Sequence, residues 1–347
     1  MARHGIADGP GPRVAGAHRE IAAALARRED EHAGEEEAGD ARHVVPGFES
    51  EARAGPSSRR SAVVSFGAEM PFAAPSGTTL VEPLGAGMVF EVALVREGDV
   101  TLVCKRLTSR VRGERAGRAA IVREAKALAR ARHPALPVLV RVGNDEHGPF
   151  LLETRVAGVS VARLVERWGA VPRFLVAHVA SMASATLAEL HALADANGPI
   201  GLVHGDLGPE HVILAPTGEV GFVDLGAARF LGMEPELETE DRGTLPFAAP
   251  EVARGEARPS QAGDVYALAA TLVFLATGGP LTEATGDAPM LLEIGERGLS
   301  ASLVDRAAGI SPKLREALRR AIAKDPAARL SSAAELAQSS SAEAIAS

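Results

Sequence analysis

His204-Gly205-Asp206-Leu207-Gly208-Pro209-Glu210-His211, followed by Asp224-Leu225-Gly226, is the most informative part of this chain. Between the two motifs, Val212-Ile213-Leu214 and Val220 to Val223 flank a Pro-Thr-Gly turn and predict a short hairpin. Such a hairpin can bring Asp206 and Asp224 to one edge of a cleft. One carboxylate can then accept a proton from an attacking hydroxyl, while the other holds Mg²⁺ against phosphate oxygens. Either aspartate alone is better explained as a turn residue at a strand end, so the inference depends on both.

Upstream, a glycine turn adds a candidate phosphate-binding loop. Gly85 and Gly87 lie between two β-rich runs, and without side chains they let backbone amides approach a phosphate. A lone Gly-x-Gly is usually an ordinary hairpin turn, and the dinucleotide fingerprint would open a helix here instead of a strand. Lys105, one strand later, and Glu124, on the next predicted helix, strengthen the signal because such a pair can hold an ammonium at nucleotide phosphates.

The order of predicted elements indicates an α+β fold in two parts. Three strands, a helix over Arg115 to Arg132 and two further strands (Val138 to Val142 and Phe150 to Glu153) precede Gly158. Beyond Gly158 the pattern is mainly helical, with predicted helices over Val265 to Leu275 and over 312–324, the latter capped by Ser311, and a last helix opened by a Ser332-x-x-Glu335 capping box. A cleft between the two parts is the expected ligand site.

Composition excludes several classes of protein. The 347 residues carry 37 Lys+Arg against 45 Asp+Glu, a net charge of -8, which disfavours a nucleic-acid binder with a basic surface. Cys104 is the single cysteine, so no disulfide forms within the chain, and we expect it simply to pack. No apolar run is long enough to span a membrane, and the amino terminus lacks an apolar core of the secretory type. We therefore expect a cytoplasmic protein without a membrane span. Residues 1–77 are rich in Ala, Arg, Glu, Gly, Ser and Pro, and we expect a mostly disordered tail, with a further short tail at 339–347.

Taken together, these motifs resemble the protein kinase superfamily. The resemblance assigns a bilobal kinase-like domain to 78–338, with a small antiparallel β-sheet lobe with one helix at 78–158 and a larger, mainly helical lobe at 159–338. It is carried by the motifs already quoted and by three further stretches, which are Gly243-Thr244-Leu245-Pro246-Phe247-Ala248-Ala249-Pro250-Glu251, Asp264-Val265-Tyr266-Ala267-Leu268, and Asp325-Pro326 with Arg329. We refer to residues 224–251 as the activation segment.

The resemblance implies a role for each matching residue. Asp206 would be the catalytic base, Lys105 the phosphate anchor oriented by Glu124, and Asp224 the metal ligand. The residues expected to contact the nucleotide are Leu84, Gly85, Gly87, Val92, Lys105 and Glu153. Glu251 would pair with Arg329 and Asp264 would brace the catalytic loop, which are structural roles. The implied cofactors are ATP and Mg²⁺, with Mn²⁺ as an alternative metal, and no motif encodes the protein substrate.

Four departures from the family pattern bear on activity. Phe90 replaces the third glycine of the loop and is expected to make this flap bulkier, and Gly205 replaces the catalytic-loop arginine. Without that arginine, a phosphorylated activation segment lacks its cationic partner, so we predict that phosphorylation of Thr239 or Thr244 is not the main switch. Gly208 removes a lysine near the transferring phosphoryl group. His211 stands where an asparagine would bind metal, and an imidazole is a poor substitute there for the oxygen ligand that Mg²⁺ prefers.

Three functions stay open at this point. The leading hypothesis is a serine/threonine protein kinase-like phosphotransferase. Gly208 and His211 motivate the second hypothesis, a pseudokinase that serves as a scaffold or binding module with little or no transfer. The third is a small-molecule kinase of the aminoglycoside or choline kinase-like type, because His204-Gly205-Asp206 is similar to the catalytic loop of those enzymes, although they normally lack the Ala-Pro-Glu segment found here.

Overall fold

A five-stranded antiparallel sheet forms the first half of the described chain. The computed structural model describes residues 72–238, 243–307 and 310–340. Thr239 and most of the predicted tails at 1–77 and 339–347, namely residues 1–71 and 341–347, lie outside these ranges. The strands are β1 (Thr79–Ala86), β2 (Phe90–Glu97), β3 (Val100–Leu107), β4 (Leu139–Asp145) and β5 (Gly148–Thr154). They lie in the order β1-β2-β3-β5-β4. Strand β3, which carries Lys105, is therefore the central strand of the sheet.

Helix α1 (Arg115–Arg130) covers one face of this sheet. Its buried Ala120 and Ile121 pack against Leu107 of β3 and Leu151 of β5. The helix ends two residues earlier than predicted, because Ala131 leaves the helical region with a ψ of 79°. This packing fixes the distance between α1 and β3, on which the Lys105–Glu124 pair depends.

The opposite face of the sheet is covered by the chain that precedes β1. Phe72 and Ala74 pack against a buried cluster that includes Cys104 and Phe150. The Arg106 guanidinium, on the same face, donates from Nε to the carbonyl oxygen of Ala73 at 2.5 Å. Residues before 78, the predicted start of the domain, therefore already pack against the sheet.

The second half is mainly helical, as predicted. Its helices are α2 (Val161–Trp168), α3 (Arg173–His191), α4 (Pro250–Ala253), α5 (Gln261–Thr277), α6 (Asp287–Arg297), α7 (Ala301–Arg306), α8 (Pro312–Ala321) and α9 (Ala333–Ser340). Helix α5 is buried along most of its length, which accounts for the longest apolar run of the sequence. Among the described residues, no helix has the length and apolar character that crossing a membrane requires.

The predicted helix caps are partly confirmed. The Ser311 hydroxyl accepts the Leu314 N–H at 3.1 Å, as expected for the residue before Pro312. The capping box at Ser332 is wrong in detail, since Glu335 accepts from the Ser331 N–H instead, at 2.7 Å. Helix α9 is held against α3 by Ser340, whose hydroxyl contacts the carbonyl oxygen of Ala180 at 3.5 Å.

A small sheet at the junction of the two halves carries the motif residues. Strands β9 (Val212–Leu214) and β10 (Val220–Phe222) form the predicted hairpin, and β6 (Val159–Ser160) pairs with β9. The remaining two strands, β7 (Ala194–Asp195) and β8 (Gly198–Pro199), pair with each other. The hairpin places Asp206 before β9 and Asp224 after β10, next to the inner face of the large sheet.

Candidate active site

Lys105 lies at the centre of a buried cluster of three carboxylates. Its Nζ is 2.5 Å from Glu124 Oε1, 3.5 Å from Glu153 Oε1 and 3.4 Å from Asp224 Oδ1. Glu124 also accepts the Leu225 backbone N–H at 3.1 Å, so helix α1 is tied to the Asp224-Leu225-Gly226 motif. The predicted Lys–Glu pair is therefore formed, and it is joined to the predicted metal ligand.

Burial and neighbouring charge shape the ionisation of this cluster. Burial alone would lower the pKa of Lys105, but the carboxylates of Asp224, Glu124 and Glu153 outweigh it and raise that pKa well above its ordinary value. Burial would raise the pKa of Asp224, yet Lys105 and His211 hold it well below its usual range. Lys105 is thus a permanent cation and Asp224 a permanent anion near neutral pH.

Glu153 lies behind Lys105, with only 3% of its side chain exposed. Burial raises its pKa to about 8 against the attraction of Lys105. With so little exposed surface, its effect on a nucleotide would pass through Lys105. Direct contact between Glu153 and a nucleotide stays a prediction. Nothing in the residue pattern had indicated the pairing with Lys105.

His211 lies between the two aspartates of the motif. Its Nδ1 donates to the backbone carbonyl of Asp206 at 2.7 Å, and its Nε2 is 3.6 Å from Asp224 Oδ2. Its Nδ1 is also 4.0 Å from Asp206 Oδ2. Burial would lower the pKa of His211, but Asp224 and Asp206 raise it overall. The hairpin therefore brings both carboxylates beside one imidazole ring, so the predicted closeness of Asp206 and Asp224 is confirmed.

Three hydrogen bonds between carboxylates and backbone N–H groups hold Asp206 and the residues before it. Asp206 Oδ1 accepts the Thr244 N–H at 2.6 Å, which ties the catalytic loop to the end of the activation segment. Asp264 on α5 accepts the N–H groups of His204 and Gly205 at 2.8 and 3.0 Å. Asp264 is thus placed to brace the loop as the resemblance implied. A cavity beside Asp206 is lined in part by Thr244 and Phe247.

Gly205 adopts a conformation that excludes the family's arginine. Its φ is +82°, in the left-handed region, and an added Cβ would lie 2.4 Å from the backbone oxygen of Ala227. Any larger residue would have to displace the chain that follows Asp224-Leu225-Gly226. The backbone conformation at residue 205 therefore requires glycine and does not accommodate the family's arginine.

The glycine turn lies at the exposed tip of the β1–β2 hairpin. Gly85 has a φ of +156°, and the Gly87 N–H donates to the Phe90 carbonyl at 2.8 Å. Leu84 is 47% exposed and Val92 is half-buried at this end of the sheet. The predicted glycine turn is therefore formed, and the N–H of Gly87 is used within it.

Phe90 does not make the flap bulkier, which corrects the expectation from sequence. Its ring is 7% exposed and packs beneath the hairpin against Ala120 and Ile121 of α1. The ring centroid is 5.9 Å from Lys105 Nζ. Side chains alternate between the two faces of a strand, so Phe90 shares a face with Val92. Val92 packs against the same cluster, and this face of β2 lies toward α1.

Farther from the cleft, Glu251 and Arg329 form a buried, two-bond ion pair. Arg329 Nη1 and Nη2 lie 2.7 and 2.6 Å from the two Glu251 oxygens, and the guanidinium lies 4.9 Å from the Tyr266 ring. The pair joins α4 to the chain before α9, as the resemblance implied for these residues.

The strand-rich and helical halves, with a Lys–Glu pair facing two aspartates at their junction, define a kinase-like phosphotransferase fold. The family model described as "Protein kinase domain" matches residues 78–340, and the chain belongs to this family. It is similar to the serine/threonine-protein kinase PknL of Mycobacterium tuberculosis, with 31% identity over 215 residues, which are 60% of this chain and 51% of PknL.

Two further relatives show the same likeness. PknK, a serine/threonine-protein kinase of Mycobacterium bovis, is 29% identical over 218 residues, or 62% of this chain and 19% of PknK. PknD, a serine/threonine-protein kinase of Mycobacterium tuberculosis, is 28% identical over 264 residues, or 73% of this chain and 37% of PknD. The chain thus spans about half the length of PknL and less of the other two.

Proposed function

We propose that this protein transfers the γ-phosphoryl group of Mg-ATP to a serine or threonine hydroxyl of a protein. The observation that carries this proposal is the placement of Asp206 and Asp224 on either side of His211, with Asp224 also 3.4 Å from Lys105. A proton acceptor, a metal ligand and a phosphate anchor are therefore adjacent. The serine/threonine kinases among its relatives support the choice of acceptor. We assign this activity to a domain at 78–338, with a first lobe at 78–158 and a second at 159–338.

Lys105 would anchor the nucleotide. Its ammonium is fixed by Glu124, so a phosphate would meet a cation that needs no reorganisation. Gly85 and Gly87, which carry no side chains, would let the turn approach the same phosphates closely, and Leu84 and Val92 would cover the base. Glu153 would hold Lys105 from behind.

The chemistry of the donor set suits Mg²⁺ at Asp224. Magnesium is commonly held by one or two carboxylates together with substrate phosphates. In the described residues, no group of three or more His, Cys, Asp or Glu side chains could hold a metal by itself, so phosphate oxygens would have to complete the site. When bound, the ion would neutralise phosphate charge. His211 Nε2 is 3.6 Å from Asp224 Oδ2, and its imidazole would be a poorer ligand than the oxygen atoms that Mg²⁺ prefers.

Asp206 would accept the proton of the attacking hydroxyl. Because Oδ1 is occupied by the Thr244 N–H, Oδ2 is the oxygen left for this task. The acceptor O–H bond breaks with its proton passing to Asp206, an O–P bond forms to the γ-phosphorus, and the bond to the leaving ADP breaks. The absence of a lysine at Gly208 removes one cation from this region, and the loss of such an electrostatic donor typically costs about 10²- to 10³-fold in rate.

The test is transfer of labelled γ-phosphate from ATP, for wild type and Asp206→Asn, to the protein itself and to a generic protein acceptor. We expect transfer with Mg²⁺ that falls at least about 10²-fold in the variant, since the proton acceptor is lost. Parallel assays replace Mg²⁺ with Mn²⁺, the alternative metal. Amino-sugars and choline, offered without a protein acceptor, serve as controls for a small-molecule kinase. Equal background in both proteins, with equal melting temperatures, would contradict the proposal and favour a non-catalytic binding module.

A further inference from the structure

The activation segment is gripped at two consecutive residues, Leu237 and Glu238. Arg229 Nη2 donates to Glu238 Oε1 at 3.0 Å, and Arg258 pairs with the other carboxylate oxygen, Oε2. The side chains of Arg229 and Glu238 are 19% and 27% exposed, so this pair is largely shielded from water. Both oxygens of Glu238 thus have a cationic partner.

Arg229 is itself fixed to the residue that precedes the His204-Gly205-Asp206 motif. Its backbone exchanges two hydrogen bonds with Val203, of 2.9 Å from its N–H and 2.8 Å to its carbonyl. Val203 directly precedes His204. Glu238 is therefore connected, through Arg229 and Val203, to the residues that precede Asp206.

Helix α1 holds the neighbouring residue from the other side. The buried Arg123 donates from Nη1 to the Leu237 carbonyl at 3.0 Å and from Nε to the Gly226 carbonyl at 2.5 Å. Arg123 directly precedes Glu124, the partner of Lys105. Arg123 thus ties residue 237 to helix α1 and to residue 226.

Position 205, where the family carries an arginine, cannot supply a cation to the activation segment. The left-handed backbone there and the nearby Ala227 oxygen exclude a larger side chain. Arg229, which lies within the segment, supplies a cation instead, and its counter-ion is the Glu238 carboxylate. A charge-assisted pair of this kind, partly buried, is stronger than a neutral hydrogen bond.

We propose that Glu238 is the fixed anion that positions the activation segment, by pairing with Arg229 and Arg258, so that transfer needs no phosphoryl group on this segment. Glu238 is a positioning residue in this inference, which rests on the proposed function. The described residues 224–238 of the segment would be held in place from the moment the chain folds.

The first test measures order in the segment and does not depend on transfer. Hydrogen–deuterium exchange is followed at the Arg229 and Leu231 amides, which donate to Val203 and Ile200, and at the Thr244 amide. The full chain is treated with a phosphatase, and wild type is compared with Glu238→Gln, Glu238→Asp and the matched control Glu236→Gln. We expect roughly tenfold faster exchange in Glu238→Gln, in line with the loss of a charged hydrogen bond, a smaller effect in Glu238→Asp, and wild-type exchange in Glu236→Gln.

The second test uses the phosphatase-treated proteins in the transfer assay. We expect wild type to keep its rate and Glu238→Gln to lose about tenfold in kcat, with nucleotide binding unchanged, because the pair does not touch the nucleotide site. Loss of wild-type transfer after phosphatase treatment would overturn the proposal. Equal exchange in Glu238→Gln and Glu236→Gln would overturn it as well. Absence of Asp206-dependent transfer in wild type would count against the proposed function alone, since the exchange experiment still decides the role of Glu238.

Discussion

At the scale of single residues, Lys105 is one cation surrounded by three acidic side chains. One ammonium faces the carboxyl groups of Glu124, Glu153 and Asp224 in a buried site. One oxygen each of Glu124 and Glu153 has no hydrogen-bond partner. Such a site is relieved when one acid binds a proton, and the raised pKa of Glu153, about 8, marks it as the acid that does so.

This charge imbalance predicts a pH-dependent effect of Glu153→Gln. The pKa of Glu153 rises from 4.5 to about 8 on folding, so its favourable contribution is complete below about pH 4.5 and is lost as the pH rises through about 8. Glutamine keeps the shape and does not titrate. We expect the stability of wild type to fall relative to the variant between pH 5 and 9, by roughly 2–4 kcal/mol.

Thermal melts of both proteins across this range measure the difference. Glu146→Gln, at an exposed position, is the matched control and is expected to follow wild type. Parallel curves for wild type and Glu153→Gln would show that Glu153 titrates normally.

The sequence predicted the identity of the site residues better than their contacts. Asp206, Asp224, Lys105 and Glu124 follow from motif order, because backbone turns and strand ends fix where such residues must lie. The partners of Glu153 and Glu238 depend on contacts between distant segments, on which local pattern carries no information. His211 could be named from its position, but its hydrogen bond to the Asp206 carbonyl could not.

At the scale of elements, Phe90 links strand β2 to helix α1. The ring fills the space between the hairpin and the helix, and it contacts the same cluster as Leu107 and Leu151. The alternation of β2 and the apolar stripe of α1 were readable from sequence, since both follow from strand and helix periodicity. The direction of Phe90 was not, because a motif comparison treats it only as a missing glycine.

Restoring the family glycine by Phe90→Gly is therefore expected to harm the protein. Removing a buried aromatic side chain costs about 3–5 kcal/mol, and glycine adds backbone freedom to the strand. The Lys105–Glu124 pair should loosen and nucleotide affinity should fall, as measured by chemical denaturation and by titration with ATP. Phe90→Leu, which keeps an apolar side chain, should lose less than half as much stability. Improved ATP binding in Phe90→Gly would contradict this account.

At the scale of the whole molecule, the Glu251–Arg329 pair connects segments that lie 78 residues apart. The pair packs against Tyr266 in the helical half and is separate from the ion pairs of Lys105. We expect Arg329→Met to cost about 3–5 kcal/mol, because it leaves the buried Glu251 carboxylate without a partner.

Urea denaturation measures this cost. Arg319→Met breaks an exposed pair with Asp305 and is expected to cost at most about 1 kcal/mol. A loss of similar size in both variants would contradict the structural role of Arg329. ATP binding per folded molecule should be equal in the two variants.

The segment that covers the outer face of the large sheet gives the molecule a built-in reporter. Cys104 lies beneath Phe72 and Ala74, and burial raises the pKa of its thiol to about 12, so the sulfur is shielded from alkylating reagents. A fragment cut at residue 78 would uncover this sulfur and the apolar surface around it. The labelling rate of the single cysteine of the chain would therefore record, in real time, whether the residues before the first strand are seated.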